Sequence, residues 1–206
     1  GLVVPKLTAA QISALPVSPA PFGTLVFNTT TNNFVGYRTR QTTMAANYGS
    51  ISNGSSLTGS VTLAPSSSIK QTFNLPSPLS GANISISSDP NSGSVVAAGN
   101  ITLKVYSGVV GSETLIFTSS TGVSTFMAPG SFNFYSSGGT IPSGPGYFTL
   151  ETDGNASIRL TNTNSDQING ATQAAYDASG NLISGKSWPF YFNGMYITNI
   201  TGWISF

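Results

Sequence analysis

The chain has 206 residues, of which 7 are Lys or Arg and 6 are Asp or Glu, and it contains no His and no Cys. Without Cys or His there is no zinc finger, no thiol nucleophile, no Ser-His-Asp triad and no disulfide frame. A net charge of +1 leaves no basic footprint for nucleic acid, which needs on the order of six cations on one face.

Charged residues make up 6%, against roughly 25% in an ordinary soluble domain. Ser, Thr and Asn carry the polar balance instead, and they favour strands and turns over long surface helices. A hydrophobic content of 39% with a mean hydropathy of +0.10 argues against a disordered chain. No apolar run approaches the ~20 residues that would span a bilayer. The chain starts at Gly1 rather than Met, so the expectation is a removed leader or a preceding N-terminal part.

Residues 1–44 read as a segment apart. Leu2-Val3-Val4 is extended and halted by Pro5. Thr8 and Gln11 form a capping-box pattern for a single helical turn. Pro16, Pro19 and Pro21 then impose an extended path. Thr24–Phe27, the turn-forming Asn28–Asn33 and Phe34–Tyr37 predict a β-hairpin with Leu25 and Phe27 on one face. A lone hairpin is marginal in water, so it is expected to pack on another chain or on the following domain. Arg38-x-Arg40 follows, either as a contact to an acidic partner or as a solvated pair.

Residues 45–57 read as a Gly/Ser/Asn-rich linker, and 58–206 as an antiparallel β-sandwich of jelly-roll type, making the chain all-β. Strands are expected at Ser60–Ala64, Ile69–Leu75, Ala82–Ser87, Asn100–Tyr106, Glu113–Ser119, Ser124–Met127 and Ser131–Tyr135. Four more follow at Gly146–Thr152, Ala156–Thr161, Ser187–Phe192 and Met195–Ile200. Turn signals such as Asp153-Gly154 and Ser179-Gly180-Asn181 separate them. Ile101, Leu103 and Val105 alternate with Thr102, Lys104 and Tyr106, the pattern of a half-buried strand.

Two sets of residues are candidates for function. Trp188, Tyr191, Tyr196, Tyr176 and Asn193 could stack and hydrogen-bond a glycan, with Tyr191 best placed because alternation sets it opposite Phe190 and Phe192. The bland alternative is that these aromatics complete the core or a subunit interface. Leu2, Val4, Leu25, Phe27 and Phe34 could bury against other chains, at ~1.5–3 kcal/mol for each side chain. Glu151-x-Asp153 is the one close carboxylate pair. A glycosidase would need one of its carboxyls to have a raised pKa, and Asp153-Gly154 reads as a turn. No catalytic residue, metal site or cofactor is expected.

Gly1-Leu-Val-Val-Pro-Lys-Leu-Thr-Ala-Ala-Gln-Ile, followed by Pro21-Phe-Gly-Thr-Leu-Val-Phe-Asn-Thr-Thr-Thr-Asn-Asn-Phe-Val-Gly-Tyr, resembles a segment of phage head- and tail-fibre proteins. Surface proteins of Bacteroidetes-type bacteria share it. This sequence has Lys6 where Arg is usual and lacks the common closing Gly-x-x-Trp. Gln71-Thr-Phe, Ile84-Ser-Ile, Ile101–Gly108, Gly146–Glu151 and Trp188–Phe192 resemble carbohydrate-binding-type jelly-roll domains.

The fibre resemblance implies a structural virion appendage on the extracellular surface of the particle, built as a homotrimer. Its partners would be a capsid or tail protein and host-surface polysaccharide, with no nucleic acid and no membrane span. The competing expectations are a secreted or cell-surface adhesin or glycan-binding module and, third, a glycan-degrading tailspike using Glu151 and Asp153.

Overall fold

A computed structural model describes residues 3–15, 23–49, 57–87, 94–109, 111–125, 131–136, 139–163, 174–183, 186 and 188–206. Among the described residues the chain is all-β with one short helix. In order the elements are β1 (Lys6–Leu7), α1 (Ala9–Ser13), β2 (Leu25–Asn28), β3 (Asn33–Gly49), β4 (Leu57–Leu63), β5 (Ser68–Leu75) and β6 (Leu79–Ser87). There follow β7 (Val95–Ala97), β8 (Gly99–Ser107), β9 (Thr114–Val123), β10 (Ser131–Tyr135), β11 (Thr140–Ile141) and β12 (Gly144–Thr152). The last are β13 (Ser157–Thr163), β14 (Ala175–Tyr176), β15 (Leu182–Ile183) and β16 (Phe190–Ser205). Two compact units result: unit 1 is Gly1–Met44 with Ile197–Phe206, and unit 2 is Ala45–Tyr196.

In unit 1 the capping box forms as the sequence predicts. Thr8 Oγ1 accepts the Gln11 N–H at 3.3 Å, and Gln11 Oε1 accepts the Thr8 N–H at 2.9 Å, satisfying two otherwise orphaned helix donors. β1 lies parallel to β2, with Lys6 opposite Phe27. β2 runs antiparallel to β3, with Leu25 opposite Gly36 and Phe27 opposite Phe34. Asn28 Oδ1 closes the intervening turn by accepting the Thr30 N–H at 2.9 Å. β3 in turn neighbours β16; the Thr39 and Thr201 hydroxyls meet at 2.8 Å and the Phe206 N–H donates to Phe34 O at 3.1 Å. The hairpin therefore finds an intrachain partner in the C-terminal stretch, which local sequence patterns do not reveal. The core of this unit is small: Ile12, Val26 and Val35, with Leu7 and Trp203 against them.

Unit 2 is an antiparallel sandwich. One sheet has the order β15-β14-β5-β12-β8-β9. Facing it are β16, β6 and β10, with β11 also on β6, while β4-β13-β7 form a third, small sheet. Alternation drives this assembly: along β5, Ile69, Gln71, Phe73 and Leu75 are buried, and their neighbours are not. Phe73 meets Phe192 edge-on at 5.0 Å and Phe148 meets Phe190 at 5.3 Å, joining the two layers. Gln71 is fully buried yet satisfied: its Oε1 accepts the Trp188 N–H at 2.8 Å and its Nε2 donates to Thr72 O at 2.9 Å.

Among the differences from expectation, three concern whole segments. The expected 45–57 linker is strand at both ends, since β3 runs to Gly49 and β4 starts at Leu57; residues 50–56 lie outside the described residues. The two strands expected at Ser187–Phe192 and Met195–Ile200 merge into β16. The strand expected at Ser124–Met127 is not found at Ser124 or Thr125, because β9 ends at Val123; residues 126 and 127 lie outside the described residues. Both long strands pass through stretches exposed on either face, where no inside–outside alternation marks a strand.

Candidate functional site

Pleating of the β2–β3 hairpin turns Val26 and Val35 into the unit 1 core and leaves Leu25, Phe27 and Phe34 on the other face. Phe27 and Phe34 pack edge-on with centroids 5.2 Å apart. Gly36 leaves a gap in this face that Phe206 fills: a Cβ at Gly36 would lie 2.9 Å from the Phe206 ring. The Arg38 guanidinium sits 4.2 Å from the centroid of that ring and donates through Nη2 to Ser205 O at 2.7 Å. The result is an open groove of about 320 Å³ lined by Val4, Leu25, Phe34 and Phe206, with no polar wall. Phe206 is 70% exposed and Phe34 45%.

Of the expected anchor residues, Val4, Leu25 and Phe34 thus converge, Phe27 abuts Phe34, and Leu2 lies outside the described residues. Phe206 is the member that the sequence reading missed. Nothing local signals it, since it reaches the groove only through the pairing of β16 with β3.

The expected glycan-binding residues do not form one site. Trp188 is fully buried, with its Nε1–H donating to Tyr176 O at 3.2 Å. It is core and has no face for a ligand. Tyr196, half-buried, also packs against the core, on the same side of β16 as Phe190 and Phe192. Tyr191 and Asn193 do share the outer face. Tyr191 lies opposite Ser85 and Asn193 opposite Asn83. Across β6, Ser85 faces Asn133 and Asn83 faces Tyr135, giving two polar rows on one surface. Ser85 Oγ donates to Asn133 Oδ1 at 2.5 Å, Tyr135 is 68% exposed, and Asn83 Oδ1 is buried without a hydrogen-bond partner. Asn83, Asn133 and Tyr135 were readable from alternation, because Ile84, Phe132 and Phe134 point inward.

Tyr176 stands apart, on the outer face of the six-stranded sheet. There it lies opposite Lys70, whose Nζ is 4.3 Å from the Tyr176 ring centroid and 5.6 Å from that of Tyr147. Tyr147 stacks on Tyr106 at 4.6 Å and donates its phenolic O–H to Glu113 Oε1 at 2.8 Å. That hydrogen bond holds the Glu113 carboxyl below the usual carboxylate range.

On the same face Glu151 is paired with Lys104 at 2.7 Å. Asp153 accepts N–H bonds from Ala156, Asn155 and Asn100, which lower its pKa to about 2. A general acid needs a shift in the opposite direction, which tells against Asp153 in that role; here Asp153 closes a loop and Glu151 forms a surface ion pair. Among the described residues, no three His, Cys, Asp or Glu side chains gather in a possible metal site, and no helix is long and apolar enough to cross a membrane.

No family model and no curated protein matches the chain. The solved structures similar to it at low level include two of the cysteine protease Cwp84. One, of the cysteine protease and lectin-like domains of this surface-layer-associated protein of Clostridium difficile, has a TM-score of 0.43 at 11% identity over 73% of this chain and 36% of that one. The other, the clostridial protease after propeptide cleavage, has a TM-score of 0.45 at 12% identity over 73% and 40%. The chain thus spans well under half of each. The likeness is one of β-rich architecture alone.

The geometry leaves a carbon-walled groove in unit 1 suited to apolar side chains. In unit 2 it leaves partly exposed phenols, amides and hydroxyls on the outer sides of two sheets.

Proposed function

We propose that the protein is a structural appendage of a bacteriophage virion, a head-fibre, spike or tail-fibre-like subunit. Unit 1 docks onto other copies in a homotrimer and onto a capsid or tail protein, and the sandwich meets host-surface polysaccharide. The groove lined by Val4, Leu25, Phe34 and Phe206 is the observation that carries this reading. A unit whose own core is Ile12, Val26 and Val35 gains little from internal burial. Each apolar side chain covered by a neighbouring copy adds ~1.5–3 kcal/mol, and several copies act together by avidity. The fibre resemblance of residues 1–44 supports the same reading, as does a charge-poor surface with little repulsion between copies.

Sedimentation of the full chain tests it. Unit 1 contains Lys6, Arg38 and Arg40 but no Asp or Glu, so copies meeting through it repel one another at low salt. Assembly should therefore strengthen as salt screens that repulsion. Leu25→Ser combined with Phe34→Ser should leave a monomer with an intact sandwich. A wild-type chain that stays monomeric at every salt and protein concentration overturns the trimer and favours a lone cell-surface module.

A further inference from the structure

The outer face of the six-stranded sheet holds a second feature that the anchoring role does not use. Between β5, β12 and the β14–β15 hairpin lies a cleft of about 250 Å³ lined by Ser68, Lys70, Tyr147, Thr149, Tyr176 and the 177–180 turn, among others. It is smaller than the roughly 300–1,000 Å³ typical of drug-sized sites, which suits one ring and its substituents. The hairpin wall is well built: Asp177 accepts N–H bonds from Ser179 at 2.9 Å and Asn181 at 2.8 Å, and the Asp177 N–H donates to Asn181 O at 2.9 Å.

Lys70 is the unusual member. Its neighbours Ile69 and Gln71 point into the core, so Lys70 points outward, where Tyr176 and Thr149 flank it in register. The two tyrosine rings hold the ammonium in place through cation–π contact. Among the described residues it forms no ion pair, unlike Lys104, which pairs with Glu151. The nearby carboxylates are engaged elsewhere. Glu151 accepts from Lys104 and Thr149, Glu113 from Tyr147 and the Gly111 N–H, and Asp177 from its own turn. Glu113 lies within Coulombic reach of Lys70 and Asp177 lines the same cleft, but among the described residues neither carboxylate is paired with the ammonium, so its three donors are open to an external anion. The surrounding Ser68, Thr149 and Tyr176 hydroxyls add partners for a ligand that itself carries hydroxyls.

We propose that this cleft binds one acidic sugar unit of a polysaccharide, with the sugar's carboxylate on Lys70 Nζ, its ring edge against Tyr176 and its hydroxyls toward Thr149 and Ser68. The inference deepens the proposed function by naming the class of polysaccharide, and rests on that reading for the ligand's source. The site itself stands on unit 2 alone.

Calorimetric titration of the full chain tests it, using oligomers of galacturonate, glucuronate and sialate, each beside its carboxyl-esterified neutral form, with sodium sulfate as a bare-anion control. At least one acidic oligomer should bind, about tenfold or more tighter than its ester, since a charge-assisted hydrogen bond is lost on esterification. Added salt should weaken it. Lys70→Met should remove the preference for the acid, while Lys70→Arg retains it. Tyr176→Ala should weaken acid and ester alike. Unchanged circular dichroism of each variant separates loss of the site from loss of the fold.

Equal binding of acid and ester, binding of none of the oligomers, or sulfate binding as tightly as the oligomers each overturns the proposal. These outcomes are independent of sedimentation, because Lys70 and the groove residues belong to different units. Failure here leaves the anchoring reading to its own test.

Discussion

Unit 1 and unit 2 are built from the same Ser-, Thr- and Asn-rich, charge-poor sequence, and they bury it to different degrees. Unit 2 encloses one continuous cluster that includes Trp188, Phe132, Phe134, Phe148, Phe190 and Phe192, all at most 2% exposed. Among the described residues unit 1 buries only a few apolar side chains, Ile12, Val26, Val35 and Tyr37, and leaves Val3, Phe34 and Phe206 exposed. Charge divides along the same line. Unit 1 has three cations and no acidic side chain, whereas unit 2 has Lys70, Lys104, Arg159 and Lys186 against Asp89, Glu113, Glu151, Asp153, Asp166 and Asp177. The fraction of its surface that a chain can bury rises with size. A small unit with an apolar outer face is thus the part that gains most from a partner, and a large closed sandwich the part that gains least.

The sharpest way to break this contrast is to open the large core. Trp188→Ala removes a fully buried indole together with its hydrogen bond to Tyr176 O, and should destabilise unit 2 by about 3–5 kcal/mol, read from urea unfolding. A loss under about 1 kcal/mol would mean that the cluster is loosely packed and the two units are less different than described.

A smaller effect probes unit 1. Thr8→Ala breaks the capping box and should cost about 1 kcal/mol. Hydrogen exchange should show it as faster exchange of the Ile12 and Ala14 amides, with the amides of β5 and β12 unchanged. Spread of the change into unit 2 would show that the units do not open independently.

The third effect is confined to acid. Asp153 has a folded-state pKa of about 2, below its value of roughly 3.9 in an unfolded chain. Its ionised form is therefore favoured by folding, and that stabilisation is present above pH ~4 and lost as pH falls toward 2. The wild type should lose stability across that window more steeply than Asp153→Asn, whose side chain does not titrate. Parallel curves for the two proteins would mean that the three N–H bonds to Asp153 do not form in solution.

Much of unit 2 was readable because β-strands have a period of two. Ile101, Leu103 and Val105 are all fully buried, as their alternation implies, and Tyr191 stands opposite Phe190 and Phe192 as expected. The capping box was readable because its partners are three residues apart. Trp188, a glycan-binding candidate by residue type, is core, since residue type alone does not say whether an aromatic meets solvent or a buried glutamine. The extension of β3 to Gly49 was hidden by its polar, exposed middle. The sheet face around Lys70 was hidden because Lys70, Glu113, Tyr147 and Tyr176 are scattered along the chain.

Composition and alternation by themselves determined an all-β chain, the parity of most strands and the lack of thiol and imidazole side chains, because these depend on residue identity and on neighbours within a few positions. Only the tertiary structure decided that Phe206 covers Gly36, that Gln71 holds Trp188 inside, and that Lys70 is braced by tyrosines from two other strands. Those outcomes depend on which strands become neighbours in a sheet, and that pairing is chosen by burial summed over the whole core rather than by any local stretch of chain.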